Sequence, residues 1–173
     1  MNNPVEFSYI IDLDDLGKVA RAYRLDADED ARARIAKRLK TPSLEKLEAE
    51  IKVRVSKTLI EVEGALVAAL TRQCVASLEL MTENIDEAFD IAFSRVRGDG
   101  AALEEDEFWD APEIHESDQL DLGELLVQQL SLAMAAFPRK RDTPGLLETY
   151  APRESASPFA DLPGILGKTD DNQ

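Results

Sequence analysis

The run Ala49-Glu50-Ile51-Lys52-Val53-Arg54-Val55-Ser56-Lys57-Thr58-Leu59-Ile60-Glu61-Val62-Glu63-Gly64-Ala65-Leu66-Val67-Ala68-Ala69-Leu70 decides how this chain folds. Ile51, Val53 and Val55 alternate with Lys52, Arg54 and Ser56. A strand sends successive side chains to opposite faces, so a period of two marks a strand with one buried face. After a turn near Lys57-Thr58, Ile60, Val62, Leu66, Ala68 and Leu70 continue the alternation, with Gly64 standing where a side chain would be. A further strand over about residues 83–96 places Ile85, Phe89, Ile91 and Phe93 mostly at two-residue intervals. Three successive long strands predict an antiparallel meander with one face on a core.

Toward the N-terminus, residues 5–11 and 18–25 read as two more strands with Gly17 between them. Asp26-Ala27-Asp28-Glu29 has the spacing of a capping box, with Asp26 as cap. The helix it opens carries Ala31, Ile35 and Leu39, and Pro42 stops it. Toward the C-terminus, residues 97–119 form a long acidic connection. A second capping box, Asp121 to Glu124, opens a helix whose stripe runs through Leu122, Leu125, Leu126, Leu130, Ala133, Met134 and Phe137 to Pro138. Burying each leucine of that stripe stabilises the fold by about 1.5–3 kcal/mol, so the helix is expected to pack on the sheet. Residues 139–173, rich in proline, serine and charge, read as a mobile tail with one apolar anchor at Phe159. The prediction is α+β: one domain over 1–138, an antiparallel sheet covered by two main helices, and a flexible end.

Charge is distributed unevenly. Residues 1–57 hold 12 basic and 11 acidic side chains, whereas residues 58–136 hold 3 basic and 18 acidic. With a net charge of −15, the whole molecule is repelled by nucleic acid, and only a local basic face can engage phosphates. A basic protein suits the acidic middle better. No apolar run approaches the ~20 residues that span a bilayer, and Met1 to Phe7 lacks the features of a secretory signal. With a single cysteine, these features point to a cytoplasmic protein without a membrane partner.

The inventory for catalysis is thin. His115 is the one histidine and lies in the acidic connection; Cys74 is the one thiol. A Cys74–His115 nucleophile and base would be the only such pair, and no flanking motif supports it, so no catalytic residue is assigned. A core thiol and an exposed imidazole are the simpler reading. Zinc needs about four such ligands, and Glu104, Glu105, Asp106 and Glu107 lack the spacing of a calcium loop, so no metal or cofactor is expected. The features left are suited to binding. Arg34, Lys37 and Lys40 follow one another along the first helix, flanked by Arg32 and Arg38, and Arg139-Lys140-Arg141 forms a second cluster. Either can lie on an RNA backbone, and either can be a solvated outer face. Phe108 and Trp109 sit among the carboxylates of Glu104 to Glu107. That group either clamps a basic partner segment or folds back on the sheet.

The order of motifs resembles a known family. Val62-Glu63-Gly64-Ala65-Leu66-Val67-Ala68-Ala69-Leu70 followed by Arg72-Gln73-Cys74-Val75-Ala76-Ser77-Leu78 is similar to the centre of the YceD family, the large ribosomal RNA subunit accumulation proteins. Ile85 to Phe93, the helix from Leu120 through Phe137-Pro138-Arg139-Lys140, and Ser157-Pro158-Phe159-Ala160-Asp161-Leu162 fit that family in the same order, covering most of residues 45–165. The resemblance implies a part in the synthesis, processing or stability of 23S ribosomal RNA and in large-subunit assembly. The implied partners are ribosomal RNA or a large-subunit precursor, met directly or indirectly; the acidic middle adds a basic ribosomal protein as the candidate protein partner. It implies no catalytic residues. Many members carry a Cys-x-Arg-Cys element here; this chain keeps Cys74 but has Ala76 and Ser77 in the other positions, so zinc is not implied.

Overall fold

In the computed structural model, residues 6–56, 59–95 and 113–141 are described. They form an α+β fold with two helices and a mostly antiparallel sheet. Strands β1 (Ile10–Asp12) and β2 (Arg21–Asp26) precede helix α1 (Glu29–Arg38). Three long strands follow: β3 (Ser43–Val55), β4 (Leu59–Gln73) and β5 (Leu80–Arg95). Short strands β6 (Glu113–His115) and β7 (Gln119–Asp121) lead into helix α2 (Leu122–Ala133). The main sheet has the order β2-β3-β4-β5-β6; only β6 runs parallel to its neighbour, and β1 pairs with β7 in a separate ribbon.

Alternation sets which face is buried. Ile51, Val53, Val55, Ile60, Val62, Leu66, Ala68 and Leu70 share one core with Ala31 and Ile35 of α1 and with Leu122, Leu125, Leu126 and Leu130 of α2. Gly64 pairs across the ladder with Phe89, whose ring covers the space that a side chain at 64 would fill. β3 begins six residues before the alternation at Ala49 becomes visible, because a bulge between Leu44 and Lys46 lets Leu44 and Leu47 both face inward.

Several expectations near the termini are corrected. The strand expected over 5–11 is reduced to Ile10–Asp12, and the one over 18–25 begins at Arg21. Residues 7–9 instead wrap the start of α2. Ser8 Oγ and Tyr9 N donate to Asp121, and Leu122 N donates to Tyr9 O. Asp26 belongs to β2; the cap of α1 is Asp28, whose Oδ1 accepts from Ala31 N at 2.7 Å. α1 stops before Pro42: Lys40 takes the left-handed conformation (φ 55°), with Lys40 N donating to Lys37 O and Thr41 N to Ala36 O. That is a Schellman ending with lysine where glycine is usual. Asp121 caps α2 as expected, but Glu124 does not close the box. α2 ends at Ala133, so Phe137 leaves the stripe and is 78% exposed. Residues 113–119 of the expected connection form β6, the approach to β7 and its first residue, and residues 139–141 lie against the β4–β5 hairpin.

Candidate functional site

The α1 face presents Arg34, Lys37, Arg38 and Lys40 to solvent, with Arg32 half-buried. Much of its hydrogen-bonding capacity is used internally. Arg32 Nη1 donates to Ala27 O at 2.6 Å and Arg34 Nε to Glu6 O at 3.0 Å. Arg38 grips Glu124 with both terminal nitrogens and reaches Glu6 Oε2 at 3.1 Å. The bonds to Glu124 chiefly hold the Arg38 guanidinium above its ordinary pKa, and the same contact lowers that of Glu124. Lys37 and Lys40 make no ion pair among the described residues. A groove of about 460 Å³ separates this end of α1 from the start of β3 and is lined by Arg32, Lys37, Thr41 and Glu45 among others.

The second basic cluster is anchored at the tip of the β4–β5 hairpin. Val75 N donates to Pro138 O at 2.9 Å, and Lys140 Nζ pairs with Glu79 at 2.6 Å. Arg72 pairs with Glu83 at 2.8 Å and also donates to Ala135 O, while Ala135 N donates to Glu83. Arg139, Lys140 and Arg141 thereby line a groove of about 580 Å³ with Glu79, Thr82 and Asn84. Exposed Val75, Leu78, Leu80 and Phe137 lie at the same end of the sheet, and Leu78 takes the left-handed conformation (φ 60°). Within this turn Cys74 is fully buried, and its Sγ accepts from Ser77 N at 3.4 Å. Hydrogen bonding to Ser77 first, and then to the backbone of Lys140, pulls its pKa down to about 6 against the effect of burial.

His115 is not the loosely held side chain expected from its position. It is half-buried in β6, its Nε2 is 2.9 Å from Gln119 O, and its ring packs at 5.8 Å against Phe93. His115 lies opposite Arg95, at the far end of β5 from Cys74. Sixteen strand residues separate the two ends, roughly 50 Å at strand rise, so no nucleophile–base pair forms between them. Among the described residues no cluster of acidic, histidine and cysteine side chains is arranged to hold a metal ion, and no helix is long and apolar enough to cross a membrane.

Two features were not legible as sites. Arg95 is buried between β5 and the two short loops, bound to Asp14 at 2.6 Å and Asp118 at 3.1 Å. Burial opposes its charge, while these two carboxylates hold its pKa above the usual value. β5 also carries exposed Asp86 and Asp90 on its outer face, with exposed Glu87 on the opposite face. A count of acids in the middle of the chain hints at the second feature; nothing local signals the first. Glu104, Glu105, Asp106, Glu107, Phe108, Trp109 and Phe159 lie outside the described residues. No protein-family model, curated protein or solved structure matches the chain.

Proposed function

We propose that this chain is a non-enzymatic binding protein of large-subunit assembly that supports the synthesis, processing or stability of 23S ribosomal RNA in the cytoplasm. The observation that carries the reading is spatial. Of the segments resembling the YceD proteins, those within the described residues fall in β4, its hairpin, β5, α2 and Phe137–Lys140, and the Val75–Pro138 bond joins the hairpin to the last of them; Ser157 to Leu162 lies outside the described residues. The described motifs, scattered over the chain, thus belong to one contiguous part of the fold, which supports the reading.

RNA contact in this reading falls chiefly to Lys37 and Lys40, helped by Arg34 and by the cluster Arg139, Lys140 and Arg141. Cations that displace counterions supply such affinity. The acidic segment Glu104–Glu107 with Phe108 and Trp109, and the anchor Phe159, engage a basic ribosomal protein. A second reading, an acidic adaptor for a basic protein without RNA contact, is favoured by one specific observation: Arg32, Arg34 and Arg38 already bond within the protein. The two readings separate in a Lys37→Glu, Lys40→Glu variant, which leaves the Arg38–Glu124 pair intact. RNA contact predicts weaker binding to 23S ribosomal RNA and a salt slope reduced by about 2. Unchanged binding, with partner capture that survives nuclease, rejects RNA contact and leaves the adaptor.

A further inference from the structure

We propose that the edge of β5 from Ile85 to Ile91, unpaired among the described residues, is a docking site for a lysine- or arginine-rich extended segment of a partner protein, which adds to the sheet as a further strand. The inference rests on the protein-binding part of the reading above and assigns it a surface and a mode.

β4 occupies one edge of β5 from Leu80 to Ser94, whereas β6 pairs on the other edge only with Phe93, Ser94 and Arg95. Among the described residues, nothing pairs with β5 from Ile85 to Ala92 on that side. An unpaired strand edge is a template for another strand, because its outward N–H and C=O groups lack ladder partners. The side chains along it fit one kind of occupant. Asp86, Glu87 and Asp90 are exposed, and β5 has no basic residue before Arg95. Half-buried Phe89 and Ile91 offer alternate apolar contacts on the face that Glu87 shares, while Asp86 and Asp90 line the opposite face. Asp90 also lies directly opposite Glu63 on β4, which itself faces Lys52 on β3, so an incoming cation on the other side of Asp90 gives this second carboxylate an opposite charge as well.

The same charges disfavour other occupants. RNA meets three carboxylates. A second copy pairing edge to edge brings Asp86, Glu87 and Asp90 against their own counterparts. A basic polypeptide is attracted by the side chains and bonded by the backbone.

The test uses the full chain and a peptide of alternating lysine and valine, about eight residues long. Two further versions carry N-methyl groups on alternate residues, one set in each register. Strand addition predicts amide-exchange protection within residues 85–91 for the plain peptide. It also predicts ~10-fold weaker binding for one N-methylated version only, because a strand presents alternate amides to each side. An Asp86→Asn, Glu87→Gln, Asp90→Asn variant with an unchanged circular-dichroism spectrum is expected to bind ~10-fold more weakly. Any of four results overturns the proposal: no binding at low salt, equal binding of all three peptides, protection elsewhere, or edge protection that grows with protein concentration alone. An RNA oligomer that protects the same amides overturns it as well. If the peptide adds to β5 but the protein stays clear of large-subunit precursors, the assembly reading fails and this one stands. The converse result rejects strand addition alone.

Discussion

Arg38 and Glu124, 86 residues apart in the chain, hold each other through two hydrogen bonds of 2.6 Å and so fasten the end of α1 to the start of α2. The contact explains why Glu124 leaves its helix cap unclosed, and it removes Arg38 from the set of charges available to RNA.

A double-mutant cycle on Arg38→Ala and Glu124→Ala is expected to give a coupling of about 1 kcal/mol at neutral pH, modest because both side chains are about a third exposed. The Glu124 pKa is lowered in the folded state, so this stability is fully present above the unfolded carboxylate value. It fades as pH falls through the lowered one. Urea unfolding of the four proteins across that range checks both the size and the sign.

Lys40 is held at φ 55°, a conformation that costs a side-chain-bearing residue about 1–2 kcal/mol. Lys40→Gly is expected to stabilise the fold by about 0.5–1 kcal/mol, after the extra freedom of glycine in the unfolded chain is set against that cost. Lys40→Ala brings no such gain. Thermal melts of the two variants distinguish conformational relief from loss of charge.

Gly123 lies in the first turn of α2, where alanine ordinarily favours helix by about 1 kcal/mol. Here a Cβ would stand 2.7 Å from Phe7 O and 2.9 Å from Ser8 Cα, backbone atoms that cannot swing aside. Gly123→Ala is therefore expected to destabilise by about 1–3 kcal/mol. Gly64→Ala is expected to cost less, because the Phe89 ring that it meets is half-exposed and can rotate away. Denaturant midpoints of the two variants give the order.

The Cys74 thiol titrates at about 6, lowered first by the bond to Ser77. A depressed folded-state value means that stability rises with pH between that point and the unfolded thiol value near 9.0. Cys74→Ala is expected to flatten this rise, and thiolate absorbance of the native protein is expected to appear around the lower value. A thiolate signal that emerges only near the unfolded value contradicts the hydrogen-bonded turn.

The long strands were legible because alternation over Ile51–Val55 and Ile60–Leu70 needs no tertiary information. What hid the start of β3 was the bulge at Glu45, which breaks the period and makes Leu44 and Leu47 look three apart. Strands β1, β6 and β7, each of three residues, are too short to show any period. Residues 5–11 alternate like a strand. In the fold, Phe7 packs on the core and Tyr9 meets the Tyr23 ring edge-on at 5.9 Å. At the candidate sites, the basic residues were legible as a row, but their use was not. Whether Arg38 faces RNA or Glu124 depends on a residue 86 positions away. The acids of β5 were visible only as part of a charge total, until the ladder showed which edge they border.

Sedimenting a lysate through a gradient at low salt, and asking where this protein travels, tests the assembly reading most directly. Comigration with large-subunit precursors, lost as salt is raised, is the predicted result. A protein that stays at the top of the gradient with other free proteins, while those precursors form and sediment normally, contradicts it.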